Sequence, residues 1–187
     1  MQFRFIRFNR GVPFLLALSL VLASGCIFSP DQKPPKVKPP VEYLAPTSPQ
    51  NVLQNLVMAY SARDSIATFA VYDPAYEGTS TDPSAPIPIV QFTRAQEVSH
   101  VKRLHDDPNI VSVSIDLGQP ATWVFLPPNP SDPTWEIIDT NFQSIEIRDI
   151  TTFTYQSSNR QIEWAFKPTT VGSTTTWTVI RWTEIAN

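Results

Sequence analysis

The stretch Thr93–Leu117, TRAQEVSHVKRLHDDPNIVSVSIDL, changes its period halfway along, and the change sets the fold class. Thr93 and, three residues on, Gln96 are the two sides of a capping box, each placed to satisfy a donor that a helix start leaves open. A helix is expected from there to about Leu104. Asp106-Asp107-Pro108 reads as a turn, because the residue before proline avoids the helical region. From Ile110 the apolar residues alternate, and Val111, Val113 and Ile115 share one face of a half-buried strand ending near Leu117.

Upstream of this stretch the helical period dominates. Ser48-Pro49 combines an N-cap with proline at the first helical position. Val52, Leu53, Leu56, Val57 and Tyr60 then recur at three and four, one apolar helix face. Asp64 can cap a second short helix, Ser65 to Val71, with Ile66, Phe69 and Ala70 expected inward. Asp73-Pro74 stops it. Residues 74–91 read as turn-rich, with one short edge strand near Ile87 to Phe92.

Downstream the period is that of strands. Ala121 to Leu126, Trp135 to Ile150, Thr151 to Tyr155, Gln161 to Phe166 and Thr174 to Glu184 are expected strands. A proline-rich loop spans Pro127 to Pro133, and Gly172-Ser173 turns the last hairpin. Ile162, Trp164 and Phe166 alternate against Gln161, Glu163 and Lys167. Helices first, then antiparallel strands, read as one α+β domain over residues 48–187.

Residues 1–47 are of another kind. Arg4, Arg7 and Arg10 precede an apolar run, Val12 to Ala23, too short for the roughly 20 residues a membrane span needs. Ala23-Ser24-Gly25-Cys26 resembles the bacterial lipobox, with Ala23 where leucine is typical. The resemblance implies signal cleavage between Gly25 and Cys26 and lipid on the Cys26 sulfur. Cys26 is the single cysteine, so no disulfide forms within the chain. Ile27, rather than aspartate, follows it, which by resemblance to Gram-negative sorting favours the outer membrane. The expected address is thus the bacterial envelope, held by lipid at Cys26. Residues 26–47 form a linker, since Pro30, Pro34, Pro35, Pro39, Pro40 and Pro46 exclude helix and sheet. In polyproline II form it reaches on the order of 60 Å.

Cleavage removes three arginines and no acid, so the fourteen basic residues fall to eleven against seventeen acids, a formal charge of −6. An acidic chain without a basic stripe does not suit nucleic acid. Few glycines, no phosphate loop and no zinc-ligand cluster mean that no motif asks for a cofactor.

The order of elements over 48–187 resembles the NTF2-like superfamily, the cystatin-like cone of SnoaL-type domains. The resemblance rests on SPQNVLQNLVMAYSARD at the start, Asp73-Pro74, and WTVIRWTE at the end with Trp177, Val179 and Trp182. It implies N-terminal helices packed on a curved antiparallel sheet. Enzymes of the superfamily, such as ketosteroid isomerase, scytalone dehydratase and limonene epoxide hydrolase, work inside the cone, but none of their motifs maps onto residues here.

Candidate site residues are correspondingly few. His100 and His105 are five apart, a spacing that cannot hold one metal from a single helix face. His105 beside Asp106 reads as a helix-terminal cation favoured by the dipole. Glu136 and Asp139 point to opposite faces of a strand. Tyr60, Tyr72, Trp123, Trp164, Trp177 and Trp182 remain as a possible cavity or partner face, and Arg181 is placed to stack or pair. The expected function is a non-catalytic lipoprotein domain acting in binding or envelope assembly, and the expected partners are the membrane through Cys26 and an envelope protein or a small apolar ligand. The alternative is a small-molecule binder or an isomerase- or dehydratase-type enzyme using an apolar cavity, the enzyme requiring a closed pocket with a buried aspartate or histidine beside a tyrosine. A third reading is a structural β-rich domain with no ligand pocket.

Overall fold

A computed structural model describes residues 40–81, 89–151 and 154–185. The signal, Cys26 and most of the linker lie outside the described residues. So do Ile87 at the start of the expected edge strand and residues 152–153 in one of the expected later strands.

Helix α1, Pro49–Ala62, starts where the cap predicts: the Ser48 hydroxyl accepts from the Asn51 amide at 3.2 Å, with Pro49 in the first turn. Its apolar face buries Val52, Leu53, Leu56 and Tyr60, each aliphatic side chain contributing about 1.5–3 kcal/mol relative to exposure. Arg63 ends the helix in the left-handed region at φ 57, a conformation usually left to glycine. Asp64 caps α2, Ser65–Val71, accepting from the Ala67 amide at 2.9 Å.

The inward side of α2 differs from expectation. Thr68 and Val71 are buried and Phe69 is half-buried, whereas Ile66 is 81% exposed and Ala70 is exposed. In so short a helix the phase is set by the Asp64 cap and by the Thr68 hydroxyl, which donates to the Asp64 carbonyl at 2.8 Å.

Strand β1, Tyr72–Thr81, follows directly, where turns were expected. It passes Pro74 by a register shift between Tyr72 and Glu77, since proline sits in a strand only at a bulge or edge. The Asp73 carboxylate accepts from the Ala75 amide and the Thr178 hydroxyl and meets Lys167 at 3.4 Å. Strand β2, Ile89–Thr93, pairs antiparallel with β1 and leads through the Thr93–Gln96 capping box into α3, Arg94–Asp106.

Strand β3, Ile110–Asp116, buries Val113, but Val111 is exposed because the register shifts between Ile110 and Ser112. Residues 120–122 form a 3-10 turn instead of the start of a strand, and the strand itself, β4, is Val124–Leu126. Strand β5 is Glu136–Asp149. The two strands expected at 151–155 and 161–166 are one, β6, Thr154–Val171, because β5 pairs along it from Phe166 back to Thr154. Strand β7, Thr174–Ile185, closes the hairpin over Gly172, at φ 62.

The strands form one sheet in the order β2-β1-β7-β6-β5-β3, with β4 also on β5. Among the described residues, only the β1–β7 pairing is parallel. Register shifts in β1, β3 and β6 bend their strands, and the helices pack on one face of the resulting curved sheet. The expected α+β class, with helices first and a curved, antiparallel-rich sheet, is the one observed.

The compact unit begins at Val41. Residues 41–47, assigned to the linker by their prolines, are hydrogen-bonded to the helices and the last strand: Leu44 to Asn55 on α1, Tyr43 to Asp64, and the Pro46 carbonyl to the Trp177 amide.

Candidate functional site

The cross-strand register places Phe125, Ile138, Trp164, Trp182, Gly78 and Phe92 in one row on the face under the helices. Trp182 lies between Trp164, at 6.2 Å between ring centroids, and Phe92, at 5.5 Å. Gly78 makes this possible. A Cβ there would stand 2.5 Å from a Phe92 ring carbon and 2.6 Å from the Tyr76 hydroxyl.

Above the row is a cavity of about 780 Å³, bounded by α1, α3 and the sheet. Leu56, Val101, Leu104, Ile115, Ile145, Ile147 and Ile162, with Phe92, Trp164 and Trp182 of the row, make much of its wall apolar, and Ser80, Gln91, Gln96, His100, Arg103 and Glu184 also line it. Its size and lining are those of a small-molecule site.

A small polar group interrupts the apolar lining. Glu97 on α3 is buried at 8% exposure, and its Oε1 accepts from the Tyr60 hydroxyl at 3.4 Å. Burial raises the Glu97 carboxyl above the ordinary range, opposed by His100 and by the Tyr60 hydrogen bond. Burial likewise pushes the Tyr60 and Tyr72 phenols well up, and the nearby Glu97 charge adds to it, so both stay protonated. Tyr72 and Tyr76 pack with centroids 4.5 Å apart. The cavity therefore offers a buried acid beside a fixed hydroxyl, a pair that can bind or exchange a proton with a polar atom of a ligand.

Of the six aromatic candidates, Tyr60, Tyr72, Trp164 and Trp182 line the cavity. Trp123 does not; it is buried with its indole N–H donating to the Leu117 carbonyl at 2.8 Å. Trp177 does not either, and packs half-buried against the core. The Trp164 indole N–H donates to the Thr140 hydroxyl at 2.9 Å, which fixes its ring at the cavity wall. Arg181 stacks over Trp135 at 5.5 Å. Among the described residues, no three His, Cys, Asp or Glu side chains group as a metal site.

His105 is not a solvated helix-terminal cation. It is 5% exposed, packs edge-on to Tyr60 at 5.4 Å, and burial followed by the nearby Arg63 charge lowers its pKa. The positive role at the end of α3 belongs to Arg63, whose guanidinium donates to the carbonyls of His105, Ile110 and, at 2.8 Å, Asp107.

Glu97 is a candidate residue absent from the sequence reading. Its signal was present: with Val101, Leu104 and His105 it occupies the apolar phase of α3, where a carboxylate has no reason to be unless it faces something.

No protein-family profile matches the chain, and no curated protein matches it. Solved structures do. A conserved protein from Planctomyces limnophilus is 10% identical with TM-score 0.47, covering 73% of this chain and 92% of that one. ActVI-ORFA from Streptomyces coelicolor is 9% identical with TM-score 0.47, covering 72% and 90%. AusH from Aspergillus nidulans is 9% identical with TM-score 0.45, covering 74% and 85%. The chain is similar to these in outline, and no residue role is taken from them.

Proposed function

We propose that this is a lipid-anchored envelope protein whose NTF2-like domain binds a small, largely apolar ligand in the cavity under α3. The cavity itself carries the reading: its apolar walls can bury a ring or chain, and the Glu97–Tyr60 pair gives it a buried point of polar recognition. Apolar burial supplies affinity and the polar pair supplies orientation. An environment-sensitive apolar dye, N-phenylnaphthylamine, tests it in the full chain reconstituted in vesicles, with empty vesicles as the blank. Energy transfer from tryptophan to dye is expected in the wild type, with affinity at least about tenfold weaker in Val101→Phe, which narrows the cavity. No transfer, or equal transfer in Val101→Phe, overturns the reading.

One observation favours a second reading. A carboxyl whose pKa is raised by burial beside a tyrosine suits general acid–base chemistry. The readings separate at Glu97→Gln, which keeps a hydrogen-bonding group but cannot transfer a proton. A binder keeps its ligand in that variant, while an enzyme keeps the ligand and loses turnover.

The anchor is part of the same proposal and rests on the lipobox resemblance at Cys26. Stable attachment takes more than one acyl chain, which a fully modified lipoprotein cysteine supplies. Cys26→Ala is expected to release the protein from membranes or leave an uncleaved precursor. Unchanged lipid labelling of that variant would sink the anchor.

A further inference from the structure

We propose that the junction of α1 and α3 is an acid-sensitive latch on the cavity, in which a proton taken up by His105 releases the last turn of α3 from α1. The latch regulates the site described above, and its link to a ligand rests on that binding reading; the latch itself does not.

The imidazole of His105 is enclosed, and neither ring nitrogen has a hydrogen-bond partner among the described residues. A neutral ring tolerates this environment, with its edge on Tyr60. An imidazolium does not. It carries two N–H donors that would need acceptors, and burying a charge without a partner is costly.

The surrounding charges add to the cost. From the end of α1, Arg63 bears on the ring and its guanidinium is already committed to the carbonyls of His105, Asp107 and Ile110. Asp64, at the start of α2, and Asp106, on α3 itself, favour the proton but weigh less than burial and Arg63. Asp106 is exposed and paired with Lys102. Tyr60, the aromatic neighbour from α1, is neutral. The proton is accommodated when the last turn of α3 lifts and the ring reaches water.

That movement reaches the cavity through short connections. Tyr60 touches His105 on one side and hydrogen-bonds Glu97 on the other. Leu104, next to His105, and Val101, one turn earlier, are cavity wall. Release of the turn therefore loosens one wall and the polar pair together.

The sign follows from the lowered pKa. The unfolded or opened state binds the proton more readily, so the closed state is fully favoured above about pH 6.5 and loses ground as the pH falls below it. Glu97 titrates the opposite way, since its raised pKa favours the closed state in acid. The two are separated by mutation.

Amide hydrogen exchange followed by mass spectrometry on the full chain tests the latch, with rates corrected for intrinsic pH dependence. Peptides covering residues 98–106 are expected to exchange faster at about pH 5.5 than at about pH 7.5 in the wild type, by up to the roughly tenfold that one imidazole can supply over that range. In His105→Phe, which keeps the edge contact without a titratable group, the ratio should fall to one or below, since Glu97 alone then titrates. His105→Gln serves where the phenylalanine variant does not fold. A wild type with no acceleration, or a variant that accelerates equally, overturns the latch. Dye binding at about pH 7.5 is measured alongside: its absence counts against the binding reading, while the exchange data still decide the latch.

Discussion

The side-chain amide of Asn55 holds the main chain of Leu44 at both ends. Leu44 N–H donates to Asn55 Oδ1 at 2.8 Å, and Asn55 Nδ2 donates to the Leu44 carbonyl at 2.8 Å. The amide thus pairs both main-chain groups of one residue, as a neighbouring strand would. Asn55→Ala leaves two main-chain groups unpaired and should cost about 1–3 kcal/mol. Chemical denaturation measures this, and hydrogen exchange should show residues 41–47 exchanging faster in the variant. Asn55→Asp is expected to be worse, because it sets an oxygen against the Leu44 carbonyl.

Gly78 and Phe92 form a coupled pair. Gly78→Ala puts a methyl group inside the Phe92 ring contact and should destabilise by about 1–3 kcal/mol. Phe92→Ala in the same chain should recover part of that loss, a coupling readable in a double-mutant cycle. If the effects of the two substitutions simply add, the aromatic row is not packed against the Gly78 backbone as described.

Arg63 sets two effects of opposite sign against each other. Arg63→Gly relieves a positive φ, a gain of about 1 kcal/mol. It also removes every guanidinium bond to the end of α3 and the start of β3, where charged donors contribute about 1.5–3 kcal/mol apiece. Net destabilisation is expected on thermal or denaturant unfolding. A more stable glycine variant would show that the clamp contributes little.

Glu97 gives the chain a pH signature of its own. Because burial raises its carboxyl in the folded state, the stability linked to it is present below the unfolded carboxylate value and is lost as the pH rises through the folded one. Glu97→Gln should therefore exceed the wild type in denaturation midpoint at about pH 8 and lose that advantage near pH 4. Parallel curves for the two proteins across this range would mean that the carboxyl is not desolvated.

Local chemistry made much of the fold legible in the sequence. Ser48, Asp64 and Thr93 act as caps within three residues of themselves, so their helices start where the side chains demand. Gly172 announces its turn for the same reason. What escaped depends on distant partners. Strand β1 runs through Pro74 because β7 pairs beside it, and β6 stays whole through Ser157-Ser158-Asn159 because β5 runs alongside. The cavity was half-legible. Its aromatic wall could be suspected from the tryptophans, but which of them face inward depends on registers that no single strand contains. Trp123 and Trp177 lie outside for that reason, and Glu97 shares the apolar helix phase of Val101 and Leu104, whose neighbours belong to other elements.

The place of β7 also bears on when the protein can fold. It is the final strand along the chain, yet it lies inside the sheet between β1 and β6, and Gly78 meets Trp182 across the parallel pairing. Contacts between residues so far apart in sequence form late and slowly, because the loop between them must close first. A chain emerging in order holds its helices and first hairpin without the strand that unites them until Thr174–Ile185 arrives. The cavity is therefore among the last features to exist.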